Sequence, residues 1–107
     1  MMVHVVLYEM RPGIEEVERE RLQRAVLTTF ECVPALRRWF VGRRTTIGLA
    51  YEALMQPGFE YAAVLEFDDP NGLRDYLEHP AHTELSALFW SCCARTLVFD
   101  YEIVARA

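Results

Sequence analysis

Residues 75–85 read DYLEHPAHTEL, placing one tyrosine, two histidines and two glutamates around a single proline. These types can make a general acid/base site, half of a metal site, or simply a junction between two helices. If Pro80 is the first residue of a helix, His82 is the third. It then lies among free backbone N–H groups, at the end of the helix dipole that disfavours a cation. A neutral imidazole follows, able to accept a proton from a carbon next to a carbonyl, while a tyrosine hydroxyl can donate to the oxyanion that develops. Tyr76 precedes the break by about one turn, so the break can aim Tyr76 and His82 into one cleft. The third histidine of the chain, His4, lies in a run that reads as a strand and completes the polar group if it faces the helices.

Each residue also has a structural reading. His79, just before the proline, would close a helix end through a local hydrogen bond. His82 would tie the two helices together, Tyr76 would be a buried tyrosine with a satisfied hydroxyl, and His4 would bond a backbone carbonyl at the edge of the core. A metal site is not expected, because His79 and His82 diverge around the proline and lack further ligands, and Glu78 and Glu84 read as solvated. Asp68-Asp69 reads as a helix cap. Cys92-Cys93, taken as neighbours on one helix, point about 100° apart, so at most one enters the core and neither has an evident base. No cofactor is expected, and a histidine alone is no evidence for haem.

The elements around these residues follow from period and punctuation. VHVVLYEM (3–10) is a β-branched run closed by Arg11-Pro12-Gly13, with His4, Val6 and Tyr8 on one face and Val3, Val5 and Leu7 on the other. Apolar positions Ile14, Val17, Leu22, Ala25, Val26, Phe30 and Val33 recur at helical spacing and end near Pro34. An extended stretch (36–46) leads to an oddly apolar loop (47–57). FEYAAVLEFDD then alternates cleanly, with Phe59, Tyr61, Ala63, Leu65 and Phe67 on one side. Asp69-Pro70 starts a helix that runs to about Glu78. His79-Pro80 breaks it, and a new helix carries Leu85, Leu88, Phe89 and Cys92 inward. TLVFDYEIV (96–104) is the last strand. The order is β-α-β-β-α-β with a broken second helix, an α+β ferredoxin-like pattern in one domain spanning 1–107. A sheet with helices on one side leaves its other face bare. With Val3, Val5 and Leu7 on the first strand and a Phe/Tyr/Leu row on the third, that face is expected to be apolar and covered by a second copy, making a homodimer.

Composition narrows the function. The 107 residues hold 52% hydrophobic residues, enough for one core. The net charge of −5, from 16 acidic and 11 basic residues, gives no electrostatic footprint for nucleic acid or an anionic membrane surface. All basic residues are arginine, which excludes lysine Schiff-base chemistry. No apolar run approaches the ~18–20 residues of a membrane span, nor does the start read as a signal peptide. A soluble, cytoplasmic location is expected, with Cys32, Cys92 and Cys93 as buried reduced thiols.

HVVLYEMRPGI, FEYAAVLEFDDPNGLRDYLEHPAHTEL and LVFDYEI together resemble the stress-responsive A/B barrel domain (Dabb) family over essentially the whole chain. The resemblance implies ferredoxin-like protomers that pair through their sheets into a dimeric α/β barrel, with a cleft between sheet and helices. Plant polyketide cyclases of that family close a linear poly-β-keto thioester by aldol condensation without a cofactor. The resemblance puts their catalytic tyrosine at Tyr76, their histidine at His82 and a supporting histidine at His4. Val6, Tyr8, Leu22, Val26, Leu77 and His79 are expected to line the cleft, with Tyr8 shortening it and Trp39, Trp90 and the 47–57 loop shaping its entrance. The expected function is a cofactor-independent acid/base lyase or cyclase acting on a β-keto or phenolic small molecule. The alternatives are a non-catalytic dimer binding a small apolar ligand, and a cofactor-free oxygenase of the related dimeric barrels.

Overall fold

A computed structural model describes residues 1–107. Its elements are β1 (Met2–Met10), α1 (Glu16–Cys32), β2 (Leu36–Arg43), a single 3-10 turn at Ala50–Leu54, β3 (Tyr61–Phe67), α2 (Pro70–Glu78), α3 (Pro80–Cys92) and β4 (Cys93–Glu102). The strands form one antiparallel sheet in the order β2-β3-β1-β4. This is the ferredoxin-like β-α-β-β-α-β fold, with the sheet open and β2 and β4 at its edges.

Strand alternation assigns the faces. On β1, His4, Tyr8 and Met10 are buried under the helices, with Val6 between them. Tyr61, Ala63, Leu65 and Phe67 of β3 are buried on the same side. The expectation that an aromatic row on the third strand lies on the bare face is therefore corrected. Because β1 and β3 are in register, with His4 opposite Leu65 and Tyr8 opposite Tyr61, the β3 row must share the face of His4. The open face takes its large side chains from elsewhere: Phe40 of β2 and Leu97, Phe99 and Tyr101 of β4, all exposed. Its apolar character stands, with different contributors.

Helix α1 packs Leu22, Val26, Thr29 and Phe30 onto the core. Glu16 and Glu18 occupy its first turn, where negative charge suits the dipole. It stops because the residue before Pro34 is pushed to extended angles, and Val33 is extended. Val17, expected on the inner stripe, is exposed, since it lies five positions before Leu22 and so points about 140° away from the row that packs inward. The 47–57 loop is closed on itself by Glu52, whose carboxylate accepts from the Ile47 and Leu49 N–H groups. Its apolar side chains Ile47, Leu49 and Leu54 remain exposed, and its far end lies beside Leu7 and Leu97 of the open face.

Two caps define the helix pair. The Asp69 carboxylate accepts from the Gly72 N–H at 2.8 Å, with Pro70 as the first helical residue. His79 is extended (φ −68°, ψ 140°), as a residue before proline must be, and serves both helices. Its N–H donates to the Tyr76 carbonyl at 3.2 Å, and its Nδ1 accepts from the Ala81 N–H at 3.0 Å. The cysteine expectations need correction. Cys92 ends α3 and is buried, but Cys93 already belongs to β4 and is half-buried, while Cys32 is exposed at the end of α1.

Asp69→Ala is expected to lower stability by ~1 kcal/mol and the melting temperature by roughly 4–8 °C, the cost of an orphaned cap donor in a domain of this size. Asp68→Ala removes only an ion pair to Arg37 in which both side chains are more than half exposed, and should change stability by less than ~0.5 kcal/mol. Thermal denaturation followed by circular dichroism compares the two.

Candidate active site

Between the inner face of the sheet and the helices lies a cavity of about 180 Å³. Alternate residues of β1 (His4, Val6, Tyr8) make its floor, continued by Thr96 and Val98 on β4. Val26 and Phe30 of α1 close one side, and Tyr76, Leu77 and His82 close the other. Trp90, 73% exposed, stands at its mouth. No arginine, aspartate or glutamate lines it.

The helix break brings the polar rings together. Tyr76 and His82 meet edge-on with ring centres 4.8 Å apart, and His4 is 5.9 Å from Tyr76. His4 is held from the opposite side. The β1–β4 ladder sets it across from Asp100, and its Nδ1 lies 2.5 Å from the Asp100 carboxylate. Donation of the Nδ1 proton to that carboxylate fixes the ring and leaves Nε2 as its acceptor.

Burial sets the protonation of the other two rings. It pushes the Tyr76 phenol well above its ordinary value, with no charge or hydrogen bond contributing, so the hydroxyl stays protonated as a donor. His82 is shifted down, first by burial and then by the neighbouring His4, against a smaller upward pull from a hydrogen bond to the Leu77 backbone. A neutral imidazole is thus favoured, through burial more than through the helix end. The Tyr8 phenol is likewise raised by burial, then by the neighbouring Cys93, Tyr61 and Glu60. Burial pushes the Cys93 thiol up to about 11, which leaves it a poor nucleophile near neutral pH.

Of the expected site residues, His4, Tyr76 and His82 converge on the cavity, and Val6, Tyr8, Val26 and Leu77 line it. Leu22 does not line it, being fully buried in the core, and neither does His79, whose ring nitrogen is committed to capping α3. Trp39 packs edge-on against Phe30 instead of reaching the entrance, and the 47–57 loop stays clear of the cavity. Asp100, Thr96 and Phe30 were not singled out. Alternation along TLVFDY would have put Thr96, Val98 and Asp100 on one face, but only the ladder register shows that this face meets His4. No group of three or more His, Cys, Asp or Glu side chains is arranged to hold a metal ion. No helix is long and apolar enough to cross a membrane.

The fold and its cavity define a ferredoxin-like protein with a histidine- and tyrosine-lined pocket. Residues 2–103 match the model of the Stress responsive A/B Barrel Domain, and the chain belongs to that family. It is 21% identical over 98 residues to olivetolic acid cyclase from Cannabis sativa, covering 92% of each chain. It is 24% identical over 99 residues to the stress-response A/B barrel domain-containing protein HS1 from Arabidopsis thaliana, covering 92% of this chain and 86% of that one. Several solved structures share the fold at 20% identity or less. A dimeric ferredoxin-like protein of unknown function from Thermobifida fusca superposes with a TM-score of 0.75 at 20% identity, over 95% of this chain and 90% of that one. The hydroxynitrile lyase from Passiflora edulis gives 0.80 at 16% identity, over 99% and 95%. SnoaB, a cofactor-independent oxygenase from Streptomyces nogalater, gives 0.73 at 12% identity, over 98% and 94%.

NMR titration should place the His82 midpoint below the ~6.5 of a free histidine. Since its folded pKa is lowered, the unfolded chain binds the extra proton first. This residue's contribution therefore turns unfavourable as pH falls through the unfolded value and levels off below the folded one. His82→Gln should remove that component from the pH dependence of stability. A midpoint above 7 would exclude His82 as a base.

Proposed function

We propose that this protein is a cofactor-independent acid/base lyase or cyclase acting on a β-keto or phenolic small molecule, and that it works as a homodimer. The observation that carries the reading is the meeting of His4, Tyr76 and His82 in a cavity otherwise almost wholly apolar and without a charged wall residue. In such a place a single proton transfer or hydrogen bond acts on the substrate with little competition from water.

The chemistry follows from the protonation states. A substrate carbonyl receives the Tyr76 hydrogen bond. His82 removes a proton from the adjacent carbon, and electron density moves onto the oxygen that Tyr76 holds. The carbanion then adds to a second carbonyl of the same molecule, and the alkoxide that forms takes the proton back from His82; in the reverse sense His82 removes the hydroxyl proton, the carbon–carbon bond breaks, and the carbanion released is reprotonated. His4, fixed by Asp100, offers Nε2 as an acceptor to a hydroxyl of the substrate and so helps to orient it. A cyclase among the sequence relatives and a lyase among the structural ones support proton-transfer chemistry on this scaffold. The fold shared with a cofactor-independent oxygenase keeps one other reaction in view, and product analysis with and without oxygen separates it.

His82→Ala should lower turnover of a β-keto substrate ~10²-fold or more, with a small change in stability. Tyr76→Phe keeps the ring and should lower kcat by at least ~10-fold through loss of the donor alone. If both variants instead lose roughly 1–3 kcal/mol of stability with no specific turnover to lose, the rings belong to the scaffold.

The dimer reading rests on the exposed Phe40, Leu97, Phe99 and Tyr101, which share the open face, and on the dimeric structural neighbour. Two such faces packed in two-fold symmetry would form the barrel. Light scattering at micromolar concentration should give twice the 12.5 kDa chain mass, and Phe99→Glu should shift the population towards monomer. A monomeric wild type removes this part of the proposal.

A further inference from the structure

One open hydroxyl of the cavity wall takes no part in the proton transfers proposed above. Ser86 lies on α3 four positions beyond His82, and Trp90 lies four beyond Ser86, so all three share one stripe of the helix. The stripe runs from the polar rings, where His82 meets Tyr76, to the mouth, where Trp90 is mostly in solvent. A molecule seated at Tyr76 and His82 and reaching towards the mouth therefore passes Ser86.

The Ser86 hydroxyl is free to meet it. A helix serine often turns back onto a carbonyl of the preceding turn, as Ser91 does with the Leu88 carbonyl at 2.8 Å. Ser86, half-buried, makes no such bond. The other hydroxyls of the wall are committed or closed: Tyr8 donates to Gln23, and the Thr96 oxygen is shielded from solvent. Around Ser86 the wall otherwise offers carbon, from Val6, Leu85, Phe89 and Val98. A ligand oxygen at this level has one donor to find, and without it loses water uncompensated.

Spacing decides which oxygen that is. His82 acts on the carbon beside the carbonyl that Tyr76 holds. For ring closure, the second carbonyl carbon must approach this carbon to about 3–3.5 Å, which leaves its oxygen about 4 Å away. The β-carbons of His82 and Ser86, one turn apart, are separated by roughly 5–6 Å. The second oxygen thus falls beside the base, on the side of the next turn.

We propose that Ser86 donates its hydroxyl to the second carbonyl, the one the carbanion attacks, and holds the alkoxide oxygen until that oxygen takes its proton from His82. Tyr76 and Ser86 divide the two oxygens between them. The proposal rests on the acid/base reading of the cavity, but the hydrogen bond it names forms on binding and is measured without turnover.

The probes are heptane-2,6-dione, whose two carbonyls have the spacing for closure of a six-membered ring, and heptan-2-one, the same chain with one carbonyl. Dissociation constants come from NMR titration of the Trp90 indole N–H. Ser86→Ala should raise the ratio of the dione constant to the monoketone constant ~5-fold or more over wild type, while Ser86→Thr should stay within ~2-fold. Alanine is the better helix former, so the melting temperature should not fall in Ser86→Ala, and the changed ratio then reports the lost hydroxyl rather than a weakened fold. The proposal is overturned by a Ser86→Ala ratio within ~2-fold of wild type, by an equal rise in Ser86→Thr, or by a wild type that binds neither probe. His82→Ala should keep the wild-type ratio and lose cyclisation of the dione. A wild type that shows the Ser86 effect and never cyclises the dione keeps the oxygen contact and removes the cyclase reading.

Discussion

The site depends on the break at Pro80. On one continuous helix, Tyr76 and His82 would be six positions apart, which at about 100° per residue points them roughly 120° away from each other. They instead meet at 4.8 Å because the chain changes direction between them. Proline forces the change by lacking the N–H that would continue α2 and by holding His79 extended. The junction is not left with open polar groups, since His79 closes one helix with its N–H and opens the next with its ring. The cost of breaking a helix is thus largely offset locally, and what remains is the freedom to aim two side chains at one point.

A second constraint is the phase of β1. One register of alternation puts His4, Val6 and Tyr8 under the helices, and the same register lays Val3, Val5 and Leu7 on the outer face. A slip of one residue would exchange the two sets and move the histidine out of the cavity. Because β1 is central, it fixes both neighbours: β3 sends its aromatic row inward, and β4 sends Thr96, Val98 and Asp100 inward and its larger apolar residues outward. The inner site and the outer apolar face are two sides of one choice.

Much of this was legible in the residues, for local reasons. Asp69-Pro70 and His79-Pro80 carry their meaning in adjacent positions, so the start of each helix and the break between them were legible. The strands were legible in period but not in phase. FEYAAVLEF separates Phe59, Tyr61, Ala63, Leu65 and Phe67 from Glu60, Ala62, Val64 and Glu66, but only pairing with β1 shows that the first set shares the face of His4. Asp100 shows the harder limit. Its role depends on lying opposite His4, 96 positions away, a relation set by ladder register rather than by any nearby residue. Likewise, the apolar composition of the 47–57 loop suggested that it shapes the entrance, whereas no residue of it lines the cavity.

The two tryptophans occupy contrasting surroundings. Trp39 is half-buried against Phe30, while Trp90 is mostly in solvent at the cavity mouth. An indole emits according to the polarity around it and the quenchers it meets, so the chain carries two intrinsic reporters of different events. Trp90 responds when the mouth is occupied, and Trp39 when the packing of α1 on the sheet is lost. With Trp90 replaced by phenylalanine, emission would follow unfolding, and with Trp39 replaced, it would follow the pocket. Spectroscopy without an added label could then separate a molecule that fills the cavity from one that only steadies the fold.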